Sequence, residues 1–339
     1  LTTQCKECSN LKGITDVPGI LVGQQSDLEG LTGCTVVLCK DGAVVGVDVR
    51  GSAPGTRETD LMRPCNMVER AHGILLAGGS AFGLNASTGV VKYLEEQHVG
   101  LDVGCAKVPI VGGAVLFDLA VGNPDARPDA HMGYMACVEA SSGEVGEGNV
   151  GAGPGATVAK ALGAQFSVKG GTGTYSMKVG CLPDGRELVV GAIVAVNALG
   201  DIVDGNEMVA CGFDRVNHVR LSAMDTMLKG ISSAVNAGIG TNTTIAVVAT
   251  NVKLDKEGAN KVAQMAHDGM ARVTMPSHTM YDGDTIFALS TCEGELTGDK
   301  TLDITLVGAA AAKCLSEAIL RAVRKASGVD GIPSVSDIG

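Results

Sequence analysis

The chain is built from short apolar runs separated by small and polar turns. Thr243-Thr244-Ile245-Ala246-Val247-Val248-Ala249-Thr250 is the clearest of these runs, with the composition of a buried strand. It is entered from Gly238-Ile239-Gly240-Thr241-Asn242, a small polar stretch that favours unusual backbone angles. Further strands are predicted at residues 73–77, 108–119, 166–169, 173–180, 187–197 and 285–290. Residues 35–39 and 43–49 flank Lys40-Asp41-Gly42, and the Asp-Gly pair predicts a hairpin. Residues 80–97 and 255–271 read as helices. So does the C-terminal stretch, where Ile304, Val307, Ala311, Cys314, Leu315, Ala318, Ile319 and Ala322 recur at helical spacing with charged residues largely off the stripe. Hairpins and helices alternate without strict βαβ order. Stacked sheets with helices outside suit that pattern.

Composition sharpens this picture. Glycine is 48 of 339 residues and aromatics only 3%, with no Trp, so small side chains must do much of the packing. No linker or charge block divides the sequence, which predicts a single domain over residues 1–339. The net charge of −11, with no basic run, argues against nucleic acid or an anionic membrane as partner. The richest apolar stretch, residues 188–199, is too short to span a bilayer, and no apolar leader opens the chain. The 11 cysteines lie mostly in apolar segments and suggest a reducing, cytoplasmic setting. Cys5 and Cys8 form a lone CxxC with no second pair at zinc-site spacing, so no metal or other cofactor is expected.

Several segments offer chemistry, each beside a plainer use. The run Gly151-Ala152-Gly153-Pro154-Gly155-Ala156-Thr157, ahead of a helix-like stretch at residues 158–162, resembles a phosphate-cradling loop. It lacks the required spacing and a preceding strand, so close backbone packing is expected. Ser80 lacks the GxSxG frame and is expected to cap a helix. The six histidines stand apart and form no metal or triad motif. Asp282-Gly283-Asp284 is a polar turn that aims two carboxylates at one small region. Lys169 is either a solvated strand end or a buried amine of lowered proton affinity. Asn197 is either a satisfied strand-end amide or a donor to a developing oxyanion. Thr243 is a strand start or a nucleophile. If the preceding bond were cut, its hydroxyl and its new α-amine would supply attacker and base on one residue.

Taken together, five strings resemble the family of L-aminopeptidase/D-esterases, β-peptidyl aminopeptidases and nylon-oligomer endoamidases. They are Val47-Asp48-Val49-Arg50-Gly51-Ser52-Ala53-Pro54-Gly55-Thr56-Arg57-Glu58-Thr59-Asp60, Leu76-Ala77-Gly78-Gly79-Ser80-Ala81-Phe82-Gly83-Leu84, Gly148-Asn149-Val150-Gly151-Ala152-Gly153, Lys169-Gly170-Gly171-Thr172-Gly173-Thr174 and the Asn242-Thr243 junction. The resemblance runs from Val17 to Ala326. It implies an α/β (α+β) fold, a four-layer αββα sandwich. It also implies a precursor that cuts itself before Thr243 into a large piece, 1–242, and a small one, 243–339. Thr243 would be the N-terminal nucleophile, Asn197 the oxyanion-hole amide, Lys169 the lysine of the nylon-oligomer branch, and Asp282 and Asp284 its paired acids; Tyr134 is a further candidate near substrate. The aminopeptidase branch has a Ser nucleophile and a Ser-x-Glu pair at these places, so the endoamidase branch is favoured.

The resemblance further implies a hydrolase of short linear amides or peptides and a homotetramer of processed subunit pairs. Three alternatives stay open: an aminopeptidase releasing N-terminal L- or β-amino acids, acyl transfer between amines as in ornithine acetyltransferases, and a catalytically idle binding protein.

Overall fold

The computed structural model describes residues 13–229 and 241–338. Cys5, Cys8 and the Gly238-Ile239-Gly240 turn lie outside the described residues. The main strands are β1 (Leu21–Asp27), β2 (Thr32–Val49), β3 (Gly55–Arg57), β4 (Arg70–Ala77), β5 (Val111–Val115), β6 (Gly171–Cys181), β7 (Glu187–Asn197), β8 (Thr243–Val252) and β9 (Thr285–Gly294). They form a 9-stranded sheet in the order β6-β7-β8-β9-β2-β4-β5-β3, with β1 also paired to β2. Four helices cover it: α1 (Ala86–Glu96), α2 (Ala130–Glu139), α3 (Lys256–Val273) and α4 (Lys300–Lys325).

Period-two alternation turns this one ribbon into four layers. Along β7, Val190, Ala192, Val194 and Val196 face α3 and α4, while Val189, Ile193 and Ala195 face the opposite way. In β2, Cys34, Val36 and Leu38 pack on α1 and α2, while Val37, Cys39 and Val45 meet Ile193, Val247 and Phe287 in the shared middle. The order is therefore α3/α4, sheet, sheet, α1/α2, and the two sheets join through β2. Phe287, fully buried between the sheets, is one of the few aromatic fillers. Burying such a side chain contributes roughly 1.5–3 kcal/mol. The α4 stripe read from the sequence packs as expected: Val307, Ala311, Cys314, Leu315, Ala318, Ile319 and Ala322 are buried, and Ile304 packs at the edge.

Three local expectations are corrected. Residues 35–49 do not form a hairpin. Leu38 pairs with Gly73 and Ala43 with Ala71, so the residues between them, including Gly42 at φ 77, form a bulge inside one strand. The Asp-Gly signal marked that bulge. Ser80 caps nothing with its side chain: Gly79 is the N-cap of a 3-10 turn, Ser80–Asn85, that precedes α1. The helix-like stretch at residues 158–162 is a single 3-10 turn, Lys160–Leu162, entered from Ala159 at φ 58.

Candidate active site around the Asn242–Thr243 junction

Strand register brings the candidate residues to one end of the sheet. The β-branched run sets the start of β8, and its antiparallel pairing with β7 places Thr243 opposite Asn197. On the other flank β8 runs parallel to β9, and an isolated parallel bridge links Asn242 with Asp282. Residues 50–53 clamp the acidic turn. Arg50 N donates to Asp284 O at 3.0 Å and Ala53 N to Asp282 O at 2.9 Å. A Cβ on Gly51 would stand 2.3 Å from Asp284 N, so only glycine fits this closure.

Thr243 is 3% exposed, and its hydroxyl donates to the carbonyl oxygen of Asn242. That same oxygen accepts the backbone N–H of Gly283 at 2.9 Å. Gly283 therefore puts a fixed donor on the carbonyl that Thr243 would attack. Its missing side chain matters too, because a Cβ there would lie 2.8 Å from the Thr243 hydroxyl oxygen.

The two acids hold the junction from different sides. Asp284 accepts from Thr244 N at 2.8 Å through one oxygen, and from His278 N at 3.0 Å and Nδ1 at 2.8 Å through the other. The His278 ring meets His267 edge-on at 4.7 Å, and burial pushes His267 down to about 4. Asp282 accepts the Thr279 N–H at 2.9 Å and hydroxyl at 2.6 Å. Burial, with the Asp284 carboxylate beside it, pushes Asp282 up to about 6.

Asn197 is fully buried. Its Oδ1 accepts from Thr157 N at 3.0 Å and Lys160 Nζ at 2.8 Å, which turns Nδ2 toward Phe117 O at 2.8 Å and Thr241 O at 3.3 Å. This amide thus reaches the carbonyl one residue upstream of the junction. Lys160 Nζ also donates to Asn197 O and to Thr241 O, both at 2.9 Å. Desolvation lowers Lys160 to about 7, with Asp282 and Asp118 opposing the shift. A cavity of about 340 Å³ opens beside this carbonyl, with Phe117, Asp118, Thr157, Lys160, Thr241 and Asp330 among its lining.

Lys169 is buried rather than solvated, and it donates to the carbonyls of Gly153, Pro154 and Ala156 at 3.3, 2.6 and 2.7 Å. The glycine-rich loop is thus a cradle for an ammonium, built from carbonyls. Burial lowers Lys169 to about 7, and Asp118 opposes that shift. Asp118 is itself held by Thr32 Oγ1 at 2.7 Å and Gly79 N at 2.6 Å, and burial raises its carboxyl. Tyr134 is not brought to this cluster: its hydroxyl donates to Glu96 at 2.7 Å in the outer α1/α2 layer. No group of His, Cys, Asp and Glu among the described residues could hold a metal ion, and no helix among them is long and apolar enough to cross a membrane.

Sequence reasoning missed Lys160, His278, Asp118 and the Gly283 amide. His278 stands just upstream of the acidic turn, a nearness that was visible. Lys160 gave no signal, because its direction depends on Ala159 adopting a left-handed angle.

Lys169 gives a stability prediction. The folded state holds it at about 7 against an ordinary 10.5, so between these values the unfolded chain binds more protons. Stability should then rise with pH across that window, by up to about 1.4 kcal/mol per pH unit, and the full penalty applies below it. Urea midpoints from pH 7 to 9, measured on Thr243→Ala protein, should climb less steeply once Lys169→Met is added. Equal slopes would show that the burial penalty is absent.

The peptidase family S58 model matches residues 12–335. The chain belongs to this family. It is a hydrolase acting on amide bonds. An uncharacterized aminopeptidase of Mycobacterium leprae is 42% identical over 343 residues, covering 96% of this chain and 93% of the relative. A 6-aminohexanoate-oligomer endohydrolase of Paenarthrobacter ureafaciens is 32% identical over 319 residues, covering 91% and 84%. Among solved structures, the L-aminopeptidase D-Ala-esterase/amidase of Ochrobactrum anthropi, described as a variant of the Ntn hydrolase fold, superposes with a TM-score of 0.71 at 22% identity. The match covers 95% of this chain and 88% of that one. A Burkholderia β-aminopeptidase gives 0.66 at 20%, covering 97% and 92%. These likenesses support the four-layer fold of this S58 member.

Proposed function

We propose that the protein is a self-processing N-terminal-nucleophile amidohydrolase that cuts its own Asn242–Thr243 bond and then uses Thr243 on short linear amides or peptides. One observation supports this reading above all. The Thr243 hydroxyl and the Gly283 N–H meet on a single carbonyl oxygen, that of Asn242. The Thr243 oxygen attacks the Asn242 carbonyl carbon, and Gly283 holds the oxygen as it gains charge. The C–N bond then breaks, the proton passes to the Thr243 nitrogen, and an ester remains. Water hydrolyses that ester, leaving fragments 1–242 and 243–339 within one domain.

The freed α-amine, with an ordinary pKa of about 7.7–8.0, then serves as base for attack on substrate. Asp284 fixes the backbone of the nucleophile's neighbour, and Asn197 serves the acyl side of the junction. Lys169, lowered to about 7 with Asp118 opposing the shift, can hold or release a proton near neutral pH. The chemistry of the Paenarthrobacter relative favours internal amide bonds. Release of N-terminal residues, favoured by the Mycobacterium relative, is the second reading. A homotetramer of processed pairs belongs to the same proposal, and exposed Met67, Val216 and Leu228 offer apolar surface for it.

The first test is the pH dependence of self-cutting. Burial and the Asp284 carboxylate push Asp282 up to about 6, and its anion, on the residue bridged to Asn242, is proposed to stabilise the proton leaving the Thr243 hydroxyl. The cutting rate, followed on denaturing gels, should rise about tenfold per pH unit below that value and level off above it. A rate that is flat from pH 4.5 to 7 would remove Asp282 from the step.

A further inference from the structure

In the uncut chain, residues 241–242 occupy the place that the acyl part of a substrate takes later, because one nucleophile attacks both bonds. This equivalence rests on the function proposed above. The Thr241 carbonyl then marks the position one residue before the scissile carbonyl. Two side-chain donors converge on it: Lys160 Nζ at 2.9 Å and Asn197 Nδ2 at 3.3 Å. A backbone carbonyl that is cut loose from this position leaves both donors facing an empty acceptor site.

A substrate with a free α-amine would place its ammonium beside this pair, against two N–H donors. A cation there meets two donors instead of a free acceptor, because the nearest oxygens, Asn197 O and Oδ1, are already bound by Lys160. A substrate whose amine is acylated places a carbonyl oxygen there instead. The cavity of about 340 Å³, lined by Lys160 and Thr241, gives the rest of the acyl chain room to continue. Asp118 also lines it but is bound to Thr32 and Gly79, and Asp330 is exposed on the C-terminal loop.

We propose that Lys160, with Asn197, is a specificity determinant that receives an amide carbonyl on the acyl side of the scissile bond, selecting internal amide bonds over those next to a free amino terminus. Lys160 is a binding residue here. It has a second, positioning role through the Asn197 Oδ1 it holds.

The test uses processed enzyme and two matched compounds, alanine p-nitroanilide and N-acetyl-alanine p-nitroanilide. Wild type should favour the acetylated compound in kcat/KM by about tenfold or more. Lys160→Met should cut kcat/KM on the acetylated compound by about ten- to a hundredfold, mostly through KM, the range of one lost charge-assisted hydrogen bond. The preference should therefore collapse toward or below unity. Lys160→Arg should restore it. If Lys160 merely positioned Asn197, both substrates would suffer alike and the ratio would stand. An unmoved ratio, a wild-type preference for the free amine, or a processed enzyme that turns over neither compound would each overturn the proposal. In the first two cases the enzyme is cut and hydrolyses an amide, so the function proposed above survives; a cut enzyme inactive on both compounds counts against that function as well. A wild type that stays uncut and inactive would instead sink that function, and this inference with it.

Discussion

Thr243→Ala protein is expected to run as one uncut chain and to hydrolyse no amide above background. The loss should be on the order of four decades or more, the scale seen when a nucleophile is removed from a concerted site. The fold should survive, because among the described residues the hydroxyl bonds only the Asn242 carbonyl and the methyl group it loses sits at a strand end. Thr243→Ser keeps the oxygen and should keep both reactions at a reduced rate, since its freer side chain is held less well. A gel and a p-nitroanilide assay on the two variants separate loss of the nucleophile from general damage. A Thr243→Ala chain that still separates into two pieces would remove threonine from the mechanism.

The second large effect is expected at a residue with no side chain. In Gly283→Ala the new methyl carbon would stand 2.8 Å from the Thr243 hydroxyl oxygen and equally close to Ala53 O. Something must shift: either the hydroxyl leaves the Asn242 carbonyl or the Gly283 N–H does. Losing one such preorganised donor typically costs about 2.7–4 kcal/mol of barrier. Self-cutting should therefore slow by about 10²–10³-fold. Urea midpoints should fall modestly, because the Ala53–Pro54 backbone must also give way. Unchanged processing in Gly283→Ala would mean that this amide takes no part.

Much of this fold was legible because its signals are local. The alternation along residues 243–250 and 187–197 fixes which side chains face helices and which face the middle of the sandwich. The α4 stripe likewise follows from spacing alone. The bulge at Gly42 was misread because an Asp-Gly pair signals a positive φ and says nothing of whether the chain reverses afterwards. Long-range pairing to β4 on one side and β9 on the other decides that.

The site divides in the same way. Asp282, Asp284, Asn197 and Thr243 could be singled out because each sits at a strand end or turn that the sequence marks, and strand register brings them together. Lys169 was named, but its surroundings were not. A cradle of three carbonyls comes from a loop whose side chains carry no information about where its oxygens point. Lys160 and the Gly283 N–H escaped notice for a related reason. The first depends on one backbone angle at Ala159, and the second is a backbone group with no residue-type signature. Tyr134 was named only through the family resemblance, and the structure puts it in the outer helix layer with Glu96.

The most direct measurement is the intact mass of purified, active protein together with N-terminal sequencing of its smaller component. The account predicts two polypeptides, the smaller beginning Thr-Thr-Ile-Ala-Val from residue 243. Active enzyme consisting of one continuous chain, or cut at any other bond, would contradict it.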